Sequence, residues 1–374
     1  MIYVVSRGDT LYEISQKFGV SEERIEYDNQ LYGQIHLAEG QALYIAAGNT
    51  AKIRPMYITG YAYPYVERTV LQESLPLLNE LLVFSFGYTL QGDLVYPQAD
   101  DLWLVELAWN YGISPMLVLT PFGPDGKFNN YLIQTLVQDA AIRNTLVQNL
   151  LTAVRERGYA GVDVDFEYIL PQDREAYAGF VGELRSVMNA NGYIVSVALA
   201  PKTSADQPGL IYEGMDYRLL GQNADHVFLM TYEWGYTYGP PMAVAPLNKV
   251  REVLDYAVQE IPANKIIMGI PNYAYDWTLP FTRGTSEANI IGNVEAVQIA
   301  AAQGAAIQFE DAAQSPHFTY WENGIQHEVW FEDVRSVEAK LEFADAYGLM
   351  GVGYWNLMRP FRANWLLLQS LLGK

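Results

Sequence analysis

From Tyr57 onward the chain repeats one unit: a short apolar run, then a stretch with helical spacing of its apolar residues. The runs are "MYITGYAY", "LLVFSFGYT", "SPMLVLTP", "GYAGVDVDFEYI", "YIVSVALAP", "HVFLMTYEWG", "KIIMGIPNYAYDW" and "LMGVGYWNL". Amphipathic segments such as "NTLVQNLLTAVRERG" and "REAYAGFVGELRSVMNANG" separate most of them. Strands joined through helices pair in parallel, because a tight hairpin cannot connect them. Eight successive βα units predict an α/β chain folded as a (β/α)8 TIM barrel. Pro and aromatic residues crowd the C-terminal ends of the runs, the end where such barrels carry their sites. After the seventh run the rhythm breaks. "AAIQFEDAAQSPHFTYWENGIQHEVWFED" reads as two strands joined by an Asn323-Gly324 turn. It predicts a small β insertion, placed at 279–333, before the last helix, "VRSVEAKLEFADAYG".

The first 48 residues follow another plan. "YVV" reads as a strand, and "RGDTLYEISQKFG" as a turn and a helix with Leu11, Ile14 and Phe18 on one face. Ser21, followed by acids, starts a second helix over "SEERIEYDN", and "LAEGQALYIA" supplies a turn and a closing strand. "AAGNTAKIRP", ending at Pro55, reads as a linker, so the sequence divides into a βααβ module at 1–48 and a barrel domain at 54–374.

The run before Ile169 has an unusual feature: Asp163, Asp165 and Glu167 occupy alternate positions. On a strand they share one face, roughly 6.6 Å apart along the chain, while Val162, Val164 and Phe166 point the other way. An alternating strand with one wet face would explain such a pattern in an open sheet. In a parallel barrel neither face is simply solvated, since helices cover the outside and side chains fill the inside. Stacked buried carboxyls favour keeping a proton on at least one of them. Such a carboxylic acid can donate to a glycosidic oxygen. Glu167, longest and nearest the strand end, is the expected donor; Asp165 lies one pleat deeper, and Asp163 deeper still.

On these residues the chain resembles glycoside hydrolase family 18, whose fourth-strand signature is Asp-Gly-x-Asp-x-Asp-x-Glu. The last three acids match Asp163, Asp165 and Glu167, and Ala160 stands where the first Asp would be. The resemblance implies substrate-assisted retaining hydrolysis, an exception to the usual two-carboxylate scheme. Glu167 would be the general acid and then base; Asp165 would orient the substrate's acetamide, with Asp163 sharing its proton. "LMTYEWG" is similar to the family's sixth-strand Met-x-Tyr-Asp, which places Tyr232 against the acetamide oxygen and puts Glu233 where an Asp is usual. "GVGYWNL" makes Trp355 the apolar floor beneath the sugar. Tyr61, Ser85, Phe86, Tyr273, Asp276 and Trp277 are further substrate-binding candidates, although barrel packing accounts for them equally well. The opening module resembles the LysM domain, a binder of N-acetylglucosamine polymers. The matching stretches are Gly8-Asp9-Thr10-Leu11, Phe18-Gly19-Val20, Asp28-Asn29 and the Gly40-Gln41 turn. By that resemblance the glycan would meet Asp9, Thr10, Leu11 and the backbone from Leu37 to Gly40. For Asp9 and Thr10 helix capping is the plain alternative.

Taken together, module and barrel are similar to the spore cortex-lytic N-acetylglucosaminidases. They imply cleavage of β-1,4 bonds after N-acetylglucosamine in peptidoglycan. A chitinase, or a glycan-binding spore protein without turnover, would use the same parts. A net charge of −20 disfavours nucleic acid or an anionic membrane as partner. No run reaches the length of a membrane span, and there is no Cys. His36, His226, His317 and His327 lack ligand spacing, so neither metal nor cofactor is expected. "MIYVVSRGDTLYEI" lacks the basic start and apolar core of a signal peptide. The expected location is the spore coat or cortex, or the cell wall.

Overall fold

The computed structural model describes residues 1–32, 36–48, 52–122 and 129–373. Residues 49–51, within the expected linker, lie outside these.

Among the described residues, eight parallel strands form the barrel: Tyr57–Ala62 (strand 1), Glu80–Tyr88 (strand 2), Ser114–Leu119 (strand 3), Gly161–Val164 (strand 4), Ile194–Leu199 (strand 5), His226–Leu229 (strand 6), Ile266–Pro271 (strand 7) and Gly351–Trp355 (strand 8). Strand 1 pairs with both strand 2 and strand 8, which closes the sheet. The helix Ala140–Arg157 shows how the sequence drives each unit. Asp139 accepts from the backbone N–H groups of Ala141 and Ile142 at its start, and Gly158 ends it in the left-handed conformation at φ 78°. Leu146, Val147, Leu150, Leu151 and Val154 bury one stripe of that helix. Each such side chain contributes about 1.5–3 kcal/mol on leaving water. Strand 4 follows directly. Its outward residue Val164 is buried, and Phe166 just beyond stacks on Tyr88, the last residue of strand 2, and on Tyr177 and Phe180 of the helical layer. The alternation therefore points the acids into the barrel, as the sequence predicts.

The module has the expected βααβ order. Strands Ile2–Val4 and Ala42–Tyr44 pair antiparallel, with helices Leu11–Phe18 and Glu22–Asn29 between them. Val5, Ile14, Ile25, Leu31, Leu43 and Ile45 form its core. The module is docked on the barrel domain. Arg362, opening the final helix Arg362–Leu372, donates from its backbone to Gln30 Oε1 and from its side chain to Tyr27 O and the Tyr32 hydroxyl.

The insertion is larger than the sequence indicates. Its strands run in the order Asn289–Ile291, Ala274–Thr278, Ile325–Trp330, Ser315–Glu322, Gln308–Glu310, with helix Asn293–Gln303 packed against them. The Asn323-Gly324 turn is where the sequence puts it, with both residues at positive φ, 51° and 79°. The insertion sheet begins at Ala274, earlier than residue 279. "GIPNYAYDW" is one apolar run in the sequence, but barrel pairing stops at Pro271 and the chain leaves to pair with Ile325–Trp330. Among the described residues no helix is long and apolar enough to cross a membrane.

Candidate active site

A cleft of about 300 Å³ opens at the C-terminal end of the barrel strands, lined by Asp165, Glu167, Tyr232, Glu233 and Trp355 together with Tyr61. Strands 4, 6, 8 and 1 each deliver one or two of these groups at or just beyond their last residues. No Lys, Arg or His is among the described lining residues. Among the described residues, the carboxyls therefore have no cation facing them across the cleft.

Asp163 sits beneath the cleft, fully buried. Ser196 Oγ donates to its Oδ1 at 2.5 Å and the Tyr61 hydroxyl to its Oδ2 at 2.8 Å. Ser196 is its register partner on strand 5, so the first bond follows from strand pairing. Burial pushes Asp163 up to about 6, against the opposing pull of the Ser196 and Tyr61 hydrogen bonds and of His226. Asp165 is 5 % exposed and its Oδ1 has no hydrogen-bond partner among the described residues. Burial, then the charges of Glu167 and Asp163, hold its carboxyl well above the usual range. Glu167 is raised as well, by burial first and by the Glu233 charge second. Three stacked carboxyls in a low-dielectric site thus favour retained protons. An unpartnered buried carboxyl oxygen is costly to leave charged.

Glu233 stands beside them on a left-handed backbone, φ 68°. Such a conformation is disfavoured for a non-Gly residue, and here it turns the carboxyl into the cleft. The hydroxyls of Tyr273 and Tyr275 both donate to it, Tyr275 at 3.0 Å to Oε1. Burial raises Glu233, and these two donors oppose the rise. Tyr232 lies beside strand 7 because Gly269 leaves room: a Cβ there would come within 2.8 Å of the Tyr232 ring. Trp355, half-buried at the end of strand 8, packs edge-on to Tyr61 at 5.3 Å and to Phe84 at 5.1 Å.

The remaining sequence candidates lie outside the cleft. Phe86 is fully buried against Tyr96 and Tyr159 on the outer side of the sheet, and Phe84 takes the cleft position instead. A register shift between Val83 and Phe86 breaks the period of two there. Ser85 is within hydrogen-bond distance of Thr120 Oγ1 at 3.1 Å and does not line the cleft. Asp276 belongs to the insertion sheet, where it accepts from the Tyr320 hydroxyl and pairs with His327 Nδ1 at 2.9 Å. Trp277 is fully buried, its indole N–H donating to Gly239 O. Tyr273 reaches the cleft only through Glu233. Among residues that the sequence did not single out, Tyr63, Phe122, Tyr212, Met230 and Trp234 line the cleft. Tyr63 carried a signal, two residues beyond Tyr61 on the same face, and Trp234 followed Glu233 directly. Tyr212 comes from the irregular stretch after strand 5, where no pattern marked it.

In the module, Asp9 accepts from the Tyr3 hydroxyl at 2.6 Å and from Ser6 N at 2.8 Å, and Thr10 forms a capping box with Glu13. Both side chains shape the turn. Leu11 and Leu37 are half-buried against the module core. Gly40, at φ 81°, is pressed against the insertion: a Cβ would lie 1.9 Å from Ile307 O. Ile307 N donates to Glu39 O at 2.8 Å, and Ala38 is buried within the insertion's own apolar cluster.

This fold and this carboxyl arrangement define a glycosidase of the TIM-barrel class, and the chain belongs to the glycosyl hydrolases of family 18. The family match spans residues 119–359, and a LysM domain match spans residues 3–46. The chain is 38 % identical to the cortical fragment-lytic enzyme of Bacillus anthracis over 98 % of its own length and 97 % of that protein. It is 42 % identical to the cortical fragment-lytic enzyme of Bacillus subtilis, over 80 % of this chain and 69 % of that one. The crystal structure of the Bacillus cereus spore cortex-lytic enzyme SleL superimposes with a TM-score of 0.90 at 32 % identity, covering 99 % of this chain and 98 % of that one.

Proposed function

We propose that this protein hydrolyses spore cortex peptidoglycan after N-acetylglucosamine, with the sugar's own acetamide as nucleophile. Glu167 gives its proton to the bridging glycosidic oxygen as the bond from that oxygen to the anomeric carbon breaks. The acetamide oxygen bonds to the same carbon, forming an oxazolinium ion. Water then attacks the anomeric carbon, loses a proton to Glu167 and restores the acetamide. Asp165 orients the acetamide N–H and balances the positive charge that develops, while Asp163 shares its proton. Tyr232 contacts the acetamide oxygen, and Trp355 lies under the ring. The observation that carries this reading is the buried, unpartnered Oδ1 of Asp165 beside a Glu167 whose carboxyl is pushed up by burial and by the Glu233 charge. The relatives' names support cortex as the glycan. The spore is the corresponding location.

Glu167→Gln tests the assignment. Its turnover should fall by about 10²–10⁴-fold while sugar binding persists. Mass analysis of products from purified cortex fragments should find new reducing ends on N-acetylglucosamine. Near-normal turnover by Glu167→Gln, or cleavage of chitin oligomers in preference to cortex, would overturn the reading.

A further inference from the structure

The barrel interior holds a second set of buried ionisable groups that the chemistry above does not use. Asp163, Ser196 and His226 are register partners on strands 4, 5 and 6, so their side chains share the inner face of the sheet. His226 Nε2 lies 3.2 Å from Glu80 Oε2, across the barrel on strand 2, and the Tyr57 hydroxyl donates to Glu80 Oε1 at 3.0 Å. His226 is 4 % exposed and Glu80 is fully buried. Neither lines the cleft. Strands 3, 7 and 8 contain no charged residue. Asp225, beside His226 in the chain, is held by Arg185 and Asn189 of the helical layer. Inside the barrel the charged groups acting on His226 are therefore Glu80 and Asp163, with the Tyr57 ring 6.0 Å away. Apolar side chains could fill this space at lower cost, because a buried ion pair seldom repays the desolvation of its two charges.

We propose that His226, paired with Glu80, is a positioning residue for the reaction: its imidazolium, beneath the cleft, keeps Asp163 able to release the proton it shares with Asp165. The inference rests on the hydrolytic reading above and extends it to what lies under the site. Burial pulls His226 down, but the Glu80 carboxylate outweighs it and holds the ring above its ordinary 6.5. His226 in turn pulls Asp163 down, against the upward push of burial. Without that charge Asp163 would keep its proton to higher pH. The trio would then take up a third proton in the range where Asp165 must be charged to balance the oxazolinium ion.

The test measures pH profiles of kcat/KM on soluble cortex fragments for wild type, His226→Gln, Glu80→Gln and the double variant, each at a temperature where it is folded. His226→Gln should move the acid limb up by about one pH unit, with KM at the optimum little changed. Glu80→Gln should move the limb the same way, because burial alone strips His226 of its proton. The double variant should shift no further than either single one, since the two residues act as a unit. A pair that only supports the fold would lower the melting temperature and leave the limb in place. That result overturns the proposal, as does a downward shift in Glu80→Gln. Nuclear magnetic resonance of ring-labelled histidine in the wild type needs no variant of the pair. His226 should titrate above 6.5, and a midpoint at or below that value overturns the proposal even if every variant fails to fold. If the wild type cleaves no cortex fragment, the hydrolase reading fails. Carbon-13 titration of the Asp163 carboxyl then still decides: His226→Gln should raise its midpoint, and an unchanged midpoint overturns the pair's role.

Discussion

Asp163 has no route to water, so its ionisation must be supported by the barrel interior alone. Its folded value of about 6 lies above the ordinary 3.8. Between those two pH values the folded protein holds a proton that the unfolded chain has released, so stability falls as pH rises through the window. The full penalty, about 3 kcal/mol, is present above pH 6 and absent below pH 3.8. Asn at this position cannot ionise. Asp163→Asn should therefore be more stable than wild type by about 1–3 kcal/mol at pH 8, with the difference vanishing toward pH 4, while hydrolysis is lost. Calorimetric melting across that range checks it. A variant that is no more stable at pH 8 would mean the buried charge is fully compensated. The sequence made this residue legible because the period-two pattern of Asp163, Asp165 and Glu167 survives intact in strand 4. It misplaced Phe86 for the converse reason. Alternation from Leu82 cannot be read through a strand whose register slips by Phe86, so Phe84 was passed over.

At the scale of elements, strands announced by long β-branched runs and helices with caps were visible in the sequence. What it lacked was any mark for a strand that changes sheet. Nothing in "GIPNYAYDW" tells the pairing of Ile266–Pro271 from that of Ala274–Thr278, because partner choice is settled by residues 50 or so positions later. The Gly40-Gln41 turn illustrates the same limit. The sequence predicts the turn correctly, but besides its positive φ Gly40 is needed for a close approach to Ile307, in another element altogether. Gly8 and Gly40 both have positive φ, 93° and 81°, yet a Cβ on Gly8 would meet open space. Gly8→Ala should cost about 1–2 kcal/mol, the left-handed backbone penalty alone. Gly40→Ala adds a backbone clash and should cost about 1–3 kcal/mol more. Melting temperatures of the two variants measure the difference. Equal losses would show that the Gly40–Ile307 approach can relax freely.

For the whole molecule, the contacts of residues 1–48 change what the module is expected to do. An anchor on a free linker would bind glycan and leave the barrel indifferent to its removal. Here Ala38 fills part of the insertion's apolar cluster, Arg335 donates to Gly40 O at 3.1 Å, and Arg362 ties Tyr27, Gln30 and Tyr32 to the final helix. The insertion in turn supplies Tyr275, which holds Glu233 in the cleft. Deleting residues 1–48 would uncover apolar surface on both the insertion and the last helix, at about 25 cal/mol per Å² exposed. The truncated barrel should therefore melt several degrees lower than the full chain, besides losing retention on insoluble wall. Arg362→Ala, which removes the side-chain bonds to Tyr27 and Tyr32 along with the ion pair to Glu73, should lower the melting temperature by a smaller amount and leave the cleft lining unchanged. Differential scanning calorimetry of the three proteins, with turnover of a short soluble glycoside at a temperature where all remain folded, separates support from anchoring. An unchanged melting temperature in the truncated chain would return the module to the role of a tethered anchor.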